Sequence, residues 1–210
     1  MPTGIVCDSA FENYYCNIGA IPRITGNHMS DHGNLFAELD ARYRGYLLFL
    51  ARAHVEPRLH DRLDIEGVVQ QTLVEAWHSA PDRAGWSIWL RRLLAHNLAD
   101  ELRKLRASKR NPLREQSLEA DLAASSAQLA DFLVAKQSSP SAKLAREEQA
   151  LRAAKALNQL PPAQREALIL QHWHGWTLAE IGEHMNRSPA AVAGLLKRSL
   201  RQLRDLLKEG

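Results

Sequence analysis

Thr177 to Arg204 reads TLAEIGEHMNRSPAAVAGLLKRSLRQLR. Two amphipathic runs, Leu178–Met185 and Ala190–Leu203, are separated by Asn186-Arg187-Ser188-Pro189, a turn followed by a helix start. The pattern predicts helix, tight turn, helix. Its second helix either enters a DNA groove or only closes a helical core.

Working back from this stretch, Gly175 ends a helix over Gln164 to Trp173, and Leu160-Pro161-Pro162 stops the one before it. That earlier helix has Ser141 as N-cap and carries Leu144, Leu151, Ala154 and Leu157. Leu118 to Ser141 is rich in Ala, Ser and Gln and closes on Ser138-Ser139-Pro140-Ser141, the composition of a linker holding one weak helix.

The first half is also helical. Leu35, Leu39, Tyr43, Tyr46, Leu47 and Leu50 recur every three or four residues until Pro57. Ile65, Val68, Val69, Thr72, Leu73, Ala76 and Trp77 form a second apolar face, capped by Asp64. A third helix spans about Ser87 to Arg106, after a break with Pro81, Asp82 and Gly85. No segment of alternating polarity is long enough for a sheet, so the expected fold is all-α. Four spans are predicted: a poorly ordered extension over 1–30, a helical domain over 31–114, a linker over 115–141 and a helix-turn-helix domain over 142–210.

Composition limits the function. The chain has 210 residues, 45% hydrophobic and 24% charged, which suits a globular protein. Net charge is +3, so any nucleic-acid surface must come from local clustering. Cys7 and Cys16 lie in the extension without ligand spacing, and no run is long and apolar enough to span a bilayer. A cytoplasmic protein with reduced thiols is expected, with no metal, no cofactor and no membrane partner. No Ser/His/Asp, paired-carboxylate or HExxH pattern accompanies the nine histidines, and His172 and His174 read as helix-surface residues. The chain is therefore not expected to be an enzyme.

Charge is nonetheless sorted. Asp61, Asp64, Glu66 and Glu75 give one helix an acidic side, whereas Arg91, Arg92, Arg103, Lys104, Arg106, Lys109, Arg110 and Arg114 make the end of the third helix basic. Trp86 and Trp89 precede that basic stretch. Rings beside cations are what single-stranded bases stack on. One of the pair is expected to fill the core, and Trp89, ahead of Leu90, is the one assigned to it.

These residues carry a resemblance. DIEGVVQQTLVEAW, Asp64 to Trp77, resembles the polymerase-binding helix of bacterial sigma-70 family factors of the extracytoplasmic-function (ECF) group. WLRRLLAHNLADELRK, Trp89 to Lys104, is similar to their promoter-melting helix. LPPAQREALIL, Leu160 to Leu170, followed by WTLAEIG, resembles their second DNA-binding domain. The resemblance covers about Leu35 to Leu207 and leaves the linker unmatched. It implies a subunit that docks on core RNA polymerase, recognises a promoter and promotes strand opening, and it leaves room for an anti-sigma factor as a further partner. Carried over, Asp64, Glu66, Val69, Gln70 and Trp77 would grip polymerase. Asn97, Asp100, Arg103 and Lys104, with Trp86, Trp89, Lys109 and Arg110, would serve the minus-ten element and its melted strand.

Arg187, Ser188, Ala190, Ala191, Lys197, Arg198 and Arg201 would face the upstream element. Two departures stand out: Gly67 replaces the usual acidic residue, and Ala190 to Leu195 replaces a segment richer in hydrogen-bonding side chains. Direct readout would rest on Lys197 and Arg198, with alanine contacts to thymine methyls. A helix-turn-helix regulator acting without polymerase is the alternative. It leaves the acidic helix and the tryptophan-flanked basic helix without a task.

Overall fold

A computed structural model describes residues 31–79, 86–106, 112–134 and 142–209. Eight α-helices run through them in the order α1 (Asp31–His54), α2 (Ile65–Ser79), α3 (Trp86–Arg106), α4 (Pro112–Val134), α5 (Ala142–Gln159), α6 (Pro162–His172), α7 (Leu178–His184) and α8 (Pro189–Glu209). One 3-10 turn, Pro57–Leu59, follows α1, and among the described residues there is no strand. The fold is all-α. The N-terminal extension lies outside the described residues.

The elements start and stop where local chemistry requires. Pro57, buried at the start of the 3-10 turn, cannot continue α1. Asp64 caps α2, its Oδ1 accepting the Gly67 N–H at 2.9 Å. Pro161 and Pro162 end α5 and open α6, since a proline at the first helical position loses no hydrogen bond.

The span expected as a linker is largely taken up by α4. Its buried positions, Leu122, Ser125, Leu129 and Ala130, follow helical spacing, with Leu118 partly buried one turn earlier. So narrow a stripe among alanines and serines gives little hydrophobic contrast, yet these residues are compatible with helix and fill a tight seam.

α1 is the hub. It packs against α2, α3, α4, α5 and α6. α5 belongs to the C-terminal part of the sequence but packs more extensively on α1 and α4 than on α8. One continuous apolar cluster therefore runs from Leu39 through Leu94, Leu122 and Leu157 to Leu203. Where α1 meets α5, Asn158 Nδ2 donates to the Gly45 carbonyl at 2.7 Å and to Ala154 O at 2.8 Å. A Cβ on Gly45 would stand 3.0 Å from that nitrogen, so the missing side chain sets the approach. Tyr46 Oη donates to Ser126 Oγ at 2.7 Å and accepts from Arg91 Nη1 at 2.9 Å, joining α1, α3 and α4.

Phe49 completes the seam, 1% exposed and edge-on to Trp173 with ring centroids 4.7 Å apart. Phe49→Ala should cost about 3–5 kcal/mol, the usual loss for an aromatic removed from a packed core. Urea unfolding should show it as a lower midpoint at unchanged slope.

Candidate nucleic-acid interface

The helix-turn-helix is built from three short-range devices. Thr177 opens α7 with a capping box: its Oγ1 accepts the Glu180 N–H at 3.3 Å, and Glu180 Oε2 accepts the Thr177 N–H at 2.7 Å. That backbone donor holds the Glu180 carboxyl below its ordinary pKa. In the turn, Asn186 takes the left-handed conformation at φ 57°, and the Arg187 N–H reaches back to Gly182 O at 2.8 Å. Ser188 Oγ then accepts the Ala191 N–H at 3.2 Å at the head of α8. A Cβ on Gly182 would lie only 2.6 Å from Arg187 O, so the turn closes only because position 182 is glycine.

α8 answers the question its sequence raises by doing both things. Val192, Leu195, Leu196, Ser199 and Leu203 are buried against α6 and α7. Arg187, Ser188, Ala190, Ala191, Lys197, Arg198 and Arg201 are all exposed. Cations thus line the side of α8 that packing leaves free. At Gly194 a Cβ would meet Arg198 Nη1 at 3.4 Å, so the guanidinium lies back along the helix over the glycine.

The N-terminal candidates separate into outward and inward groups. Asp64, Glu66 and Gln70 are exposed on α2. Glu66 pairs with Arg52 at 3.2 Å, and Gln70 accepts a hydrogen bond from Arg44. Trp77 is half-buried, edge-on to Phe36 at 6.0 Å. Val69 is 0% exposed and belongs to the core. A polymerase contact through its side chain is ruled out in this conformation, because it sits on the same stripe as Val68, Leu73 and Ala76.

The tryptophans reverse the expectation. Trp86 is the buried one, 5% exposed and stacked on Tyr43 with centroids 6.5 Å apart, whereas Trp89 is only partly buried. The reason is register: Trp86, Leu90, Leu93, Leu94 and Leu98 recur at helical spacing and face α1 and α2, and Trp89 lies off that line. The same spacing was present in the sequence and outweighs adjacency to Leu90.

Asn97, Asp100, Arg103 and Lys104 come together on α3, engaged with neighbours. Asn97 Nδ2 donates to Thr72 Oγ1 at 3.1 Å and Glu75 Oε2 at 3.0 Å, tying α3 to α2. Asp100 pairs with Arg103 and lies 3.6 Å from His96, and Lys104 lies 2.5 Å from Glu101. Hydrogen bonding to Glu101 raises the Lys104 pKa. Between α2 and α3 opens a groove of about 440 Å³, with Asp64, Gly67 and Glu75 on one wall and Asn97, Asp100 and Lys104 on the other. Of the residues assigned to polymerase only Asp64 lines this cleft, together with Asn97, Asp100 and Lys104 of those assigned to DNA. Thr72 and Glu75 entered the sequence reading only as part of an apolar face and an acidic side, and their role in holding Asn97 was not legible because that partner is distant along the chain.

Lys109, Arg110 and the break at Pro81, Asp82 and Gly85 lie outside the described residues. His174 departs from the helix-surface reading. It is half-buried after α6, its pKa lowered by desolvation. Among the described residues no group of three or more His, Cys, Asp or Glu is placed to hold a metal, and no helix is long and apolar enough to cross a membrane.

Comparison with known proteins bears on the helices just described. Residues 150–203 match the family model described as Sigma-70, region 4. The match begins in α5, includes α6 and α7, and ends in α8 at Leu203. Among solved structures the chain is similar to one titled "Structure of CnrH in complex with the cytosolic domain of CnrY", with 25% identity over 84% of this chain and 90% of that one, at a TM-score of 0.31. The comparison with curated proteins gives no match. The likeness to sigma-70 region 4 is thus confined to the C-terminal helices.

Gly182→Ala tests the turn. In an open helix the change is stabilising by about 1 kcal/mol. Here the contact with Arg187 O should reverse the sign and cost about 1–3 kcal/mol, as overpacking does. The urea midpoint of the full chain reports it, together with weakened binding to duplex DNA.

Proposed function

We propose that this chain is a sigma factor of the ECF group. It docks on core RNA polymerase through the outer face of α2, lays α3 along the minus-ten element and reads the upstream element with α8. The observation that carries the proposal is the match of residues 150–203 to sigma-70 region 4, across helices whose last member keeps its cationic face out of the core. Asp64, Glu66, Gln70 and Trp77 form the polymerase contact, with charge orienting the encounter. Of the two tryptophans Trp89 has surface to offer an unpaired base, and Trp86 supports α3 from below. The cations of α3 contribute a salt-dependent phosphate term. No bond is made or broken by this chain, and the proposed site of action is the cytoplasm. An anti-sigma factor would find its target in the same polymerase-binding face.

Purified protein mixed with core polymerase should co-elute with it and direct transcripts with defined start sites from genomic templates. Duplex binding by the free protein with neither co-elution nor start-site selection would assign it instead to regulators that work without polymerase.

Readout by α8 has its own test. Because Ala190, Ala191 and Gly194 offer no side-chain hydrogen bonds, Arg198→Ala should cost about 1–3 kcal/mol and relax preference at one base pair of the upstream element. Holoenzyme binding to a promoter library at two salt concentrations measures both. A uniform loss across all sequences would instead make Arg198 a phosphate contact.

A further inference from the structure

Three imidazoles meet where the C-terminal helices rest on the end of α1. His54 closes α1, His60 follows the 3-10 turn, and His174 sits in the bend between α6 and α7. His54 Nε2 lies 2.8 Å from Ser125 Oγ of α4, and His60 Nε2 lies 3.0 Å from Val55 O. His174 is hydrogen-bonded with the backbone of Arg52, while its Nε2 is buried without a hydrogen-bond partner among the described residues. Gln128 Nε2 of α4 donates to His172 O at 3.1 Å, and Phe49 of α1 meets Trp173. Phe49, Arg52 and His54 of α1, Ser125 and Gln128 of α4, and the segment from His172 to His174 are thus joined at one place.

We propose that this junction is a pH-sensitive clasp: with His54 and His174 neutral it holds α4 and the α6–α7 bend against α1, and their protonation releases both. Charged neighbours offset the added protons only in part, because burial outweighs them. Asp121 of α4, whose backbone also hydrogen-bonds with His54, and Glu56 beside His174 each favour the protonated ring, and for both histidines burial opposes them as the largest influence. Glu66 of α2 is already paired with Arg52. Arg52 on α1 and Arg165 on α6 interact as like charges, and His174 and His54 disfavour each other's protonation. Burial is the largest influence on both His54 and His174, and it lowers each below the ordinary value of 6.5. The sign follows. Above that value both states are neutral and the packing is intact. As pH falls below it, the opened state takes up protons that the closed state resists, so closure weakens. Each linked proton multiplies the opening equilibrium by about ten per pH unit.

Amide hydrogen exchange on the full chain, corrected for intrinsic rates, tests the proposal between pH 7.5 and 5. The expected result is faster exchange in α4 around 121–130 and in the bend around 170–177, with α2 and the helix-turn-helix unaffected. The logarithm of the opening equilibrium should fall with pH at a slope above one. In His54→Gln/His174→Gln, which keeps polar contacts without a charge, the slope should drop below one. Equal slopes in the two proteins, or exchange that rises throughout the molecule together, would overturn the clasp. The unaltered protein provides a second reading through its imidazole proton resonances. Midpoints for His54 and His174 at the ordinary value would overturn it whether or not the variant folds.

Discussion

Everything in this molecule rests on the burial of the second half of α1, from Tyr43 to Ala53. Five helices pack on it, and its Tyr46, Leu47, Phe49, Leu50 and Ala51 are almost entirely removed from water. Burial on that scale contributes on the order of 1.5–3 kcal/mol for each large side chain. It also restricts what lies outside. α2 and α3 can turn only one face outward, and the cleft between them is formed by side chains that the α1 packing leaves over. α5 and α6 are drawn to the same helix through Gly45 and Phe49, so the end of the chain proposed to read DNA is anchored on the end proposed to hold polymerase.

Polar groups near the candidate surfaces are engaged with one another. Asn97 is spent on Thr72 and Glu75, Glu66 on Arg52, and Lys104 on Glu101. The ion pairs among them, Glu66–Arg52 and Lys104–Glu101, lie at the surface and contribute little to stability, about 0–1 kcal/mol each. Their effect is to fix orientation: carboxylates along α2, and cations on the last turns of α3. The exchange of partners needed for Arg103 or Lys104 to reach a phosphate is correspondingly inexpensive. Buried contacts differ. The His54–Ser125 and Tyr46–Ser126 contacts are sheltered by apolar neighbours, where a change of charge is costly, which is why the histidines rather than the surface lysines are the proposed point of control.

What the sequence by itself determined is whatever depends on neighbours a few residues away. The all-α class, the proline and glycine stops, the Asp64 cap and the helix-turn-helix between Thr177 and Arg204 all follow from periodicity and capping, which act over one or two turns. So does the exposure of Lys197, Arg198 and Arg201, because the apolar positions of α8 leave those cations on the opposite side. The burial of Trp86 and of Val69 was legible in the register of α3 and α2, whereas the tertiary structure alone decided that the alanine-rich span between the halves is the packed helix α4. It alone brought His54, Ser125 and His174 to one junction. Each of these depends on which distant helix face arrives opposite a residue, and steric fit between faces leaves no periodic trace along the chain.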